Sequence, residues 1–205
     1  HWGVDTDMFT PENPVNNELR NRFGCSENGI LLLAVGRLAA RKGYGSLLKA
    51  FSLVNSELPD SRLVIVGRGH LRRRLLKQAH KLGISSSVYI ESSMSFSELA
   101  SLFRNADLTI YPSYYEGQGL IPLESMSSGT PVVTVDHGPL PEMVDSTVGA
   151  LFTMGDVISM SSTILHDIKN RDSLNKKGIK GRQRVIKNFT YEIDADYFIK
   201  IYERI

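Results

Sequence analysis

Two glutamates flank a glycine-rich turn in the middle of the chain. Glu116 comes just before Gly117 and Gly119, and Glu124 follows them, with seven residues between the two carboxylates. Glycine permits positive φ and lets a ligand approach the backbone closely. A helix beginning at Gly119–Leu120 would direct unpaired amides and the positive end of its dipole at the same place. The stretch therefore predicts an anion site framed by acceptors for neutral hydroxyls, such as those of a ribose and a second sugar.

Each glutamate alone also has a plainer interpretation. In that alternative Glu116 only favours the helix dipole and Glu124 only faces water. The helix is expected to tolerate Pro122 in its first turn and to end at Gly129, with Pro131 just beyond. The turn, the helix start and the spacing together favour the binding site.

A second set of candidates follows the first apolar strand, in the segment Gly36-Arg-Leu-Ala-Ala-Arg-Lys-Gly43. Arg37 and Lys42 lie in a turn at the carboxyl end of a strand, where they can converge on one dianion. The next helix adds its positive end. The alternative is a pair of solvated loop cations, which is the usual state of any single Arg or Lys. Arg41 is given no role.

These candidates need a scaffold, and the chain alternates strands and helices from Ile30 onward. The predicted strands are 30–35, 63–66, 88–90, 108–111, 132–135 and a weak one at 150–152, and the predicted helices are 16–23, 44–58, 71–82, 96–105, 119–129, 140–144, 157–168, 172–187 and 191–205. Ser95 and Glu98 predict a capping box at the start of one helix. The alternation indicates an α/β fold, with a parallel sheet covered on both faces and ligands bound outside the carboxyl ends of its strands.

The motifs around both candidate sites resemble those of a known family. Glu116-Gly-x-Gly-Leu-x-x-x-Glu124, followed by Ser128-Gly-Thr-Pro-Val-Val133, resembles the donor-site signature of the retaining glycosyltransferases of family four (glycosyl transferases group 1). The segment Gly36–Gly43 is similar to the family's Gly-Arg-Leu-x-x-x-Lys-Gly motif. The resemblance covers nearly the whole chain but only the C-terminal half of such an enzyme. It implies a Rossmann-like three-layer domain, the C-terminal half of a GT-B fold, ending in C-terminal helices.

The resemblance also implies a donor, a UDP- or GDP-linked sugar, and a role for each site residue. Arg37 and Lys42 would hold the diphosphate without a metal, Glu124 would hold the ribose, and Glu116 would orient the sugar hydroxyls. The implied catalytic residues are Glu116, Arg37 and Lys42. The implied donor-binding residues are Gly36, Arg37, Lys42, Gly67, Met94, Glu116, Gly117, Gln118, Gly119, Leu120 and Glu124. Gln118 and His137 depart from the family's usual residues and are expected to border the sugar pocket. We expect neither a metal nor another cofactor, since the five histidines show no ligand spacing.

The same resemblance predicts how the chain is divided. Residues 1–22 form an interdomain connector, 23–188 the nucleotide-sugar-binding domain, and 189–205 a C-terminal crossover helix. The N-terminal domain that would hold the acceptor is absent from this sequence, and the missing initiator Met is consistent with a piece of a longer protein. We therefore expect this chain to bind a donor without transferring the sugar. Asp5-Thr6-Asp7 has the form of a metal-binding Asp-x-Asp but is assigned to the connector.

Composition bounds the partners and the compartment. The net charge of +2 is too small to imply nucleic acid, and no apolar run approaches the length of a membrane span. A single cysteine, Cys25, is read as an ordinary loop thiol in a reducing, cytoplasmic protein. Two basic stretches are either solvated faces or contacts with an anionic membrane surface that carries a lipid-linked acceptor. They are Arg72, Arg73, Arg74, Lys77 and Lys81 in one helix, and Lys176–Lys187 in another.

Two other functions stay open at this stage. Gly67-Arg-Gly69 follows a strand, and Glu91 closes the next strand, which imitates an NAD-type dinucleotide fingerprint. The third glycine of that fingerprint is missing, because Arg72 occupies its position. The second alternative is a non-catalytic, regulatory sugar-nucleotide-binding module.

Overall fold

The computed structural model describes residues 3–12 and 17–203. The strands are β1 (Ile30–Val35), β2 (Ser61–Val66), β3 (Val88–Glu91), β4 (Leu108–Tyr111), β5 (Val132–Val135) and β6 (Gly149–Phe152). The helices are α1 (Asn17–Arg22), α2 (Tyr44–Glu57), α3 (Arg72–Lys81), α4 (Phe96–Asn105), α5 (Leu120–Ser127), α6 (Leu140–Met143), α7 (Val157–Lys169), α8 (Arg171–Asn188) and α9 (Tyr191–Tyr202). A single turn of 3-10 helix, Ala40–Lys42, precedes α2.

The described strands form one parallel sheet in the order β3-β2-β1-β4-β5-β6. Strand β1 is buried along its whole length, because it lies at the centre of the sheet. Strands β2 and β3 follow on one side of β1. Strand β4 then pairs with the other side of β1, and β5 and β6 follow beyond it. The carboxyl ends of β1 and β4 therefore border the switch point, where open sheets of this kind form their ligand crevice.

Helices pack on the sheet in two groups. On one side α2 contacts α3 and α7, and on the other α5 contacts α4 and α8. Their apolar residues and the sheet form one core, including Phe51 from α2, Phe103 from α4 and Met126 from α5. The predicted α/β class, with a three-layer Rossmann-like domain, is confirmed.

Most predicted element bounds lie within one or two residues of the observed ones. Strand β2 begins two residues earlier than predicted, at Ser61, because Ser61 pairs with Ile30 at the start of β1. The capping box at Ser95 and Glu98 is confirmed. Two predicted ends lie outside the described residues, Asn16 at the start of the first helix and Ile205 at the end of the last.

The first described residues pack against the junction of α8 and α9. Val4 forms a parallel bridge with Thr190, and its amide donates to the carbonyl of Phe189 over 2.9 Å. Asp5 caps its own turn, since its Oδ1 accepts from the amides of Asp7 and Met8 at 3.1 and 2.8 Å. The Asp5 carboxylate of the Asp-x-Asp motif thus has a structural role in this turn.

Two expectations about the surface can be compared with the structure. Cys25 lies in a loop as predicted, but its thiol is buried beside Arg20, and burial raises the pKa of that thiol. The loop position was predicted correctly, but the burial of the thiol was not foreseen. None of the described helices is long and apolar enough to cross a membrane. Contact of the exposed α3 cations with a membrane surface stays a prediction.

Candidate functional site

The loops after β1 and β4 meet at the switch point of the sheet. Gly43 packs directly on Pro112, so closely that a Cβ on Gly43 would lie 2.1 Å from the Pro112 carbonyl oxygen. The amide of Tyr114 donates to the carbonyl of Arg41 over 2.8 Å, and the hydroxyls of Ser46 and Tyr114 are 2.9 Å apart. These contacts bring the two motifs identified in the sequence into a single site.

Lys42 and Glu116 form an ion pair between these two loops. The Lys42 ammonium donates to Glu116 Oε1 and also, over 3.2 Å, to the hydroxyl of Tyr111. It lies 5.2 Å from the centre of the Tyr111 ring, within the range of a cation–π contact. The Lys42 and Glu116 side chains are only 12% and 13% exposed, so water screens this pair weakly.

The surroundings fix the protonation of this cluster. Burial opposes ionisation of Glu116, but hydrogen bonds from Lys42, Ser113 and Tyr111 outweigh it, so the pKa of Glu116 lies below its usual value. Burial, and then the neighbouring Glu116, raise the pKa values of the Tyr111 and Tyr44 hydroxyls. At neutral pH the Glu116 carboxyl is thus ionised and both phenols are neutral.

Gly36 packs beside the cluster, against the hydroxyl of Tyr44. A Cβ at Gly36 would lie 3.0 Å from the Tyr44 hydroxyl and 3.9 Å from Lys42 Cε, and the φ of +142° disfavours other residues. Arg37, the next residue, is exposed and forms no ion pair with another described residue. Its side chain is thus unpaired in the loop that follows β1, the same loop that carries Lys42.

The helix α5 begins at Leu120, as predicted, and its start is open. Gly119 precedes it with φ +96°, and no side chain caps its amides. The helix ends at Ser127, and Gly129 follows in the left-handed region with φ +78°, as expected from Gly129 and Pro131. An uncapped helix start beside the Lys42 ammonium is a strong electrostatic environment for an anion.

The expectation for Gly117 is wrong in one respect. Its φ is not positive, and a Cβ there would meet nothing within 4 Å. Gly119, by contrast, has positive φ and packs on Leu140, whose Cδ2 would lie 3.1 Å from an added Cβ. Only Gly119 is required by the backbone, because it is the residue before α5 that adopts the left-handed conformation.

Glu124 is half-buried on α5, and one of its oxygens lacks a partner. Its Oε2 is buried and accepts no hydrogen bond from a described residue. Burial raises the pKa of Glu124 to about 7. The carboxyl is close enough to Tyr111 to raise the pKa of that phenol as well. The alternative that Glu124 simply faces water is therefore contradicted by the structure.

The Gly-x-Gly motif after β2 is explained by packing against the β1 loop. A Cβ on Gly67 would lie 1.9 Å from the carbonyl oxygen of Gly36, and a Cβ on Gly69 would lie 2.3 Å from that of Leu38. Glu91, the acidic residue of the imitated fingerprint, pairs with Arg22 at 3.3 Å. Both glycines are thus required without any dinucleotide, which removes the main support for that alternative.

The remaining predicted residues lie at the edges of the site. Met94 follows β3, two strands away from β1, and packs half-buried against the core. Gln118 is half-buried in the turn, and Leu120 is 41% exposed at the start of α5. His137 contacts the ring of Tyr115 edge-on, with centroids 6.3 Å apart, which joins the loops after β4 and β5.

Sequence reasoning missed the hydroxyls that complete the cluster. Tyr111 and Ser113 donate to Glu116, and Tyr44 lies close enough for Glu116 to raise its pKa. None of the three stood out in the sequence. The available signal was the position of Tyr111 and Ser113 at the carboxyl end of a strand, beside a predicted carboxylate. Within residues 3–12 and 17–203, no group of three His, Cys, Asp or Glu side chains could hold a metal ion.

Comparison with known proteins gives a consistent family. Residues 15–184 match the family model described as "Glycosyl transferases group 1". The chain is 32% identical to the MMP alpha-(1->4)-mannosyltransferase of Mycolicibacterium hassiacum, over 98% of this chain and 47% of that protein. It spans about half the length of the curated relatives it matches.

Two solved structures share the fold. Sucrose-phosphate synthase from Thermosynechococcus elongatus aligns with a TM-score of 0.88 and 25% identity, over 99% of this chain and 51% of that one. The Anabaena protein HepE, solved in complex with UDP, aligns with a TM-score of 0.91 and 20% identity, over 99% of this chain and 56% of that one. With the matched motifs and the β1–β4 crevice, these findings show that the chain belongs to the glycosyl transferases group 1 family and has the Rossmann-like fold of the C-terminal half of a GT-B glycosyltransferase.

Proposed function

We propose that this domain binds a nucleoside diphosphate sugar at the β1–β4 crevice and presents it for retaining glycosyl transfer. The observation that carries the proposal is the convergence of three features on one point. They are the Lys42–Glu116 pair, the open start of α5 at Gly119, and the unpartnered carboxyl oxygen of Glu124. The first two suit a diphosphate, and the third suits a hydroxyl donor.

The diphosphate would lie between Arg37, Lys42 and the amides near Gly119–Leu120. When the glycosidic bond breaks, negative charge develops on the departing phosphate, and fixed positive groups stabilise it most where water is excluded. Lys42 is held in place by Tyr111 and Glu116 and needs little rearrangement. Arg37 is exposed and can close over the phosphates from outside. This arrangement requires no metal ion.

The two glutamates would hold the neutral parts of the donor. Glu124 Oε2 would accept from a ribose hydroxyl, which supplies the hydrogen bond that this buried oxygen lacks. Glu116 remains ionised and would orient the hydroxyls of the transferred sugar while still balancing Lys42. The base would be uracil or guanine. Guanine is favoured by a relative from Mycolicibacterium smegmatis, 28% identical over 92% of this chain, which is named a GDP-mannose-dependent mannosyltransferase.

A second domain would hold the acceptor. None of the residues of α9 is buried, and seven of its large hydrophobic side chains are exposed, namely Tyr191, Ile193, Tyr197, Phe198, Ile199, Ile201 and Tyr202. Such a surface is expected to pack against another part of the full-length protein. The bridge between Val4 and Thr190 places the connector beside the start of α9, so both links to that domain would leave from one point. Residues 1–22 and 189–205 then act as connector and crossover helix.

Ligand binding to the chain tests the proposal directly. UDP or GDP in the presence of EDTA should raise the melting temperature, and NADH should not. A ligand present at 100 times its dissociation constant adds about 2.7 kcal/mol to the free energy of unfolding. Binding that requires magnesium or manganese would contradict the metal-free site, and a preference for NADH would contradict the donor class.

Catalysis needs a separate experiment. Glycosyl transfer and donor hydrolysis should be negligible for residues 1–205 and should appear in the full-length protein, because the proposal assigns the acceptor side of the cleft to a second domain. Robust transfer by the 205-residue chain would contradict the two-domain arrangement. Binding without transfer in the full-length protein would favour the regulatory module instead.

A further inference from the structure

A second concave site lies beyond the amino ends of strands β4 and β5. This cavity of about 650 Å³ is lined by Asn105–Asp107, which precede β4, and by Ser128–Pro131, which precede β5. One side of α8 forms the remaining wall, from Arg171 to Gln183. Since the candidate donor site follows the strands, the two sites lie at opposite ends of the parallel sheet. The volume is typical of a small-molecule site.

The lining carries excess positive charge. Its charged residues are Arg20, Arg104, Arg171, Arg182 and Asp107. The one carboxylate is already shared, since Asp107 pairs with Arg20 at 3.2 Å and with Arg171 at 2.6 Å. The other two arginines contact carbonyl and hydroxyl oxygens only, so their charge is not neutralised by a described carboxylate.

Arg182 and Arg20 have structural roles that explain their burial. Arg182 Nη1 donates to the carbonyls of Thr6, Phe9 and Ser127 at 2.9, 2.9 and 3.0 Å, and so holds the connector against α5 and α8. Arg20 donates to the carbonyls of Asn105 and Gly29, both at 2.7 Å. These two guanidinium groups join parts of the chain that are distant in sequence.

Arg104 has no comparable structural role. Its single hydrogen bond to a described residue is a long one, from Nη1 to the carbonyl of Thr10 over 3.3 Å. Its Nε is buried and has no partner, as is also true of Arg20 Nε, so the difference between the two arginines lies in their terminal nitrogens. Partial burial lowers the pKa of Arg104. A cation with few hydrogen-bond partners and no described carboxylate beside it can take an anion as a ligand.

We propose that this cavity binds a phosphate monoester, with Arg104 as the principal anion ligand and Arg171 at the rim. A guanidinium can donate two parallel hydrogen bonds to one phosphoryl group. The terminal nitrogens of Arg104 make a single hydrogen bond to a described residue, so most of their donor capacity is unused. The cavity is larger than a phosphate group, and part of its wall is apolar, including Pro131, Leu174 and Ile179. The organic part of the ligand would contact these side chains. This site is separate from the donor crevice and does not depend on the proposed function.

The experiment follows backbone amides by two-dimensional NMR during titration with glucose 6-phosphate. The reporters are Gly129, Thr130 and Gly178, which line the cavity, and Gly36, Gly43 and Gly119, which border the donor crevice. We expect saturable shifts in the first group at concentrations that leave the second unchanged. Unphosphorylated glucose serves as the matched neutral ligand and should produce no shifts.

Two arginine variants show whether the effect belongs to Arg104. Arg104→Gln should weaken the titration at the cavity amides by about tenfold to a hundredfold, as expected for the loss of a charge-assisted hydrogen bond. Arg73→Gln removes an equal charge from exposed helix α3 and should change nothing. If Arg104→Gln does not fold, Arg104→Lys keeps the charge but loses the planar fork, and it should still weaken binding severalfold.

Three outcomes would overturn the proposal. One is the absence of shifts at Gly129, Thr130 and Gly178. Another is an equal response to glucose, which would show that the phosphate is not recognised. The last is an equal loss in Arg73→Gln, which would indicate general surface charge. Failure here leaves the donor site untouched, because Gly36 and Gly119 report that site independently.

Discussion

The two glutamates of the crevice lie on either side of one helix start but in opposite environments. Glu116 is surrounded by donors from Lys42, Ser113 and Tyr111, and its pKa is lowered. Glu124 is half-buried, its Oε2 is buried without a partner, and burial raises its pKa to about 7. One side of the site is therefore electrostatically complete, whereas the other lacks a donor. The difference indicates which groups hold the site together and which group is arranged for a ligand.

The largest effect should come from removing the cation on the complete side. Lys42→Ala should lower UDP or GDP affinity by about tenfold to a hundredfold, because one charge-assisted bond is worth roughly 1.5–3 kcal/mol. It also leaves the Glu116 carboxylate unbalanced beside the phosphates. Affinity for the matching nucleoside should change little. Calorimetric titration of both ligands measures the difference.

Two neighbouring variants control that experiment. Arg41→Ala removes an exposed cation of the same loop and should preserve diphosphate affinity. Glu116→Ala should not weaken the free diphosphate, but it should impair binding or turnover of the intact donor in the full-length protein. If Arg41→Ala costs as much affinity as Lys42→Ala, the effect is general surface charge and the site assignment fails.

On the incomplete side, Glu124 should make stability depend on pH. Its folded pKa of about 7 lies above the ordinary value of 4.5, so it contributes stability that is fully present below about pH 4.5 and is lost as the pH rises through about 7. Glu124→Gln should remove this dependence and stabilise the protein at pH 8 by about 1–3 kcal/mol. Urea unfolding at pH 5 and pH 8 provides the test.

An exposed glutamate gives the matched comparison for that measurement. Glu27→Gln changes the same functional group on a surface loop and should leave the pH dependence of the wild type intact. A Glu124→Gln variant that keeps the wild-type decline between pH 5 and pH 8 would refute the assignment of this titration to Glu124.

The two glycines between the glutamates should differ in how much an alanine substitution destabilises the protein. Gly119→Ala should destabilise the protein by about 1–2 kcal/mol, because an alanine is strained at φ +96°. Gly117→Ala should stay within about 0.5 kcal/mol, since its φ is not positive and its Cβ position is open. Thermal unfolding of both variants measures this. Equal losses would mean that the turn is not organised around the start of α5.

The smallest effect concerns protons. At pH 7 Glu124 should be about half protonated, and a hydroxyl donor would favour its carboxylate form, so nucleotide binding should release roughly half a proton. Calorimetry in buffers of different ionisation enthalpy detects this release. Glu124→Gln should abolish it, whereas release that persists in that variant would point to another group.

Much of the fold could be predicted because its signals are local. Ile30–Val35 is a continuous apolar run bounded by glycines, and Ser95 with Glu98 specifies the start of α4. The meeting of Lys42 with Glu116 followed in part from the rule that ligands bind at the carboxyl ends of parallel strands. The pairing of these two particular loops depended on the strand order, which no local pattern contains.

The remaining details depended on tertiary packing. Tyr111 reads in the sequence as a strand residue, and its hydroxyl gains a role only because β4 lies beside β1. Gly67 reads as a ligand-binding glycine, although its lack of a side chain is already required by the carbonyl of Gly36. Its contact with a donor stays a prediction. The orphaned oxygen of Glu124 could not be predicted, because it depends on which neighbours fail to reach it.

The packing of the β1 loop against the β2 loop has a consequence for the entropy of binding. The amides of Gly36 and Leu38 donate to the carbonyls of Val66 and Arg68 at 2.9 and 2.8 Å, so the backbone on both sides of Arg37 is already ordered. Ordering a flexible loop on binding would cost about 1–2 kcal/mol for each residue. Here only the Arg37 side chain has rotamer freedom to lose, about 2 kcal/mol at most. Binding of a phosphate at this loop therefore requires little further loss of backbone entropy, because the loop became ordered when the domain folded.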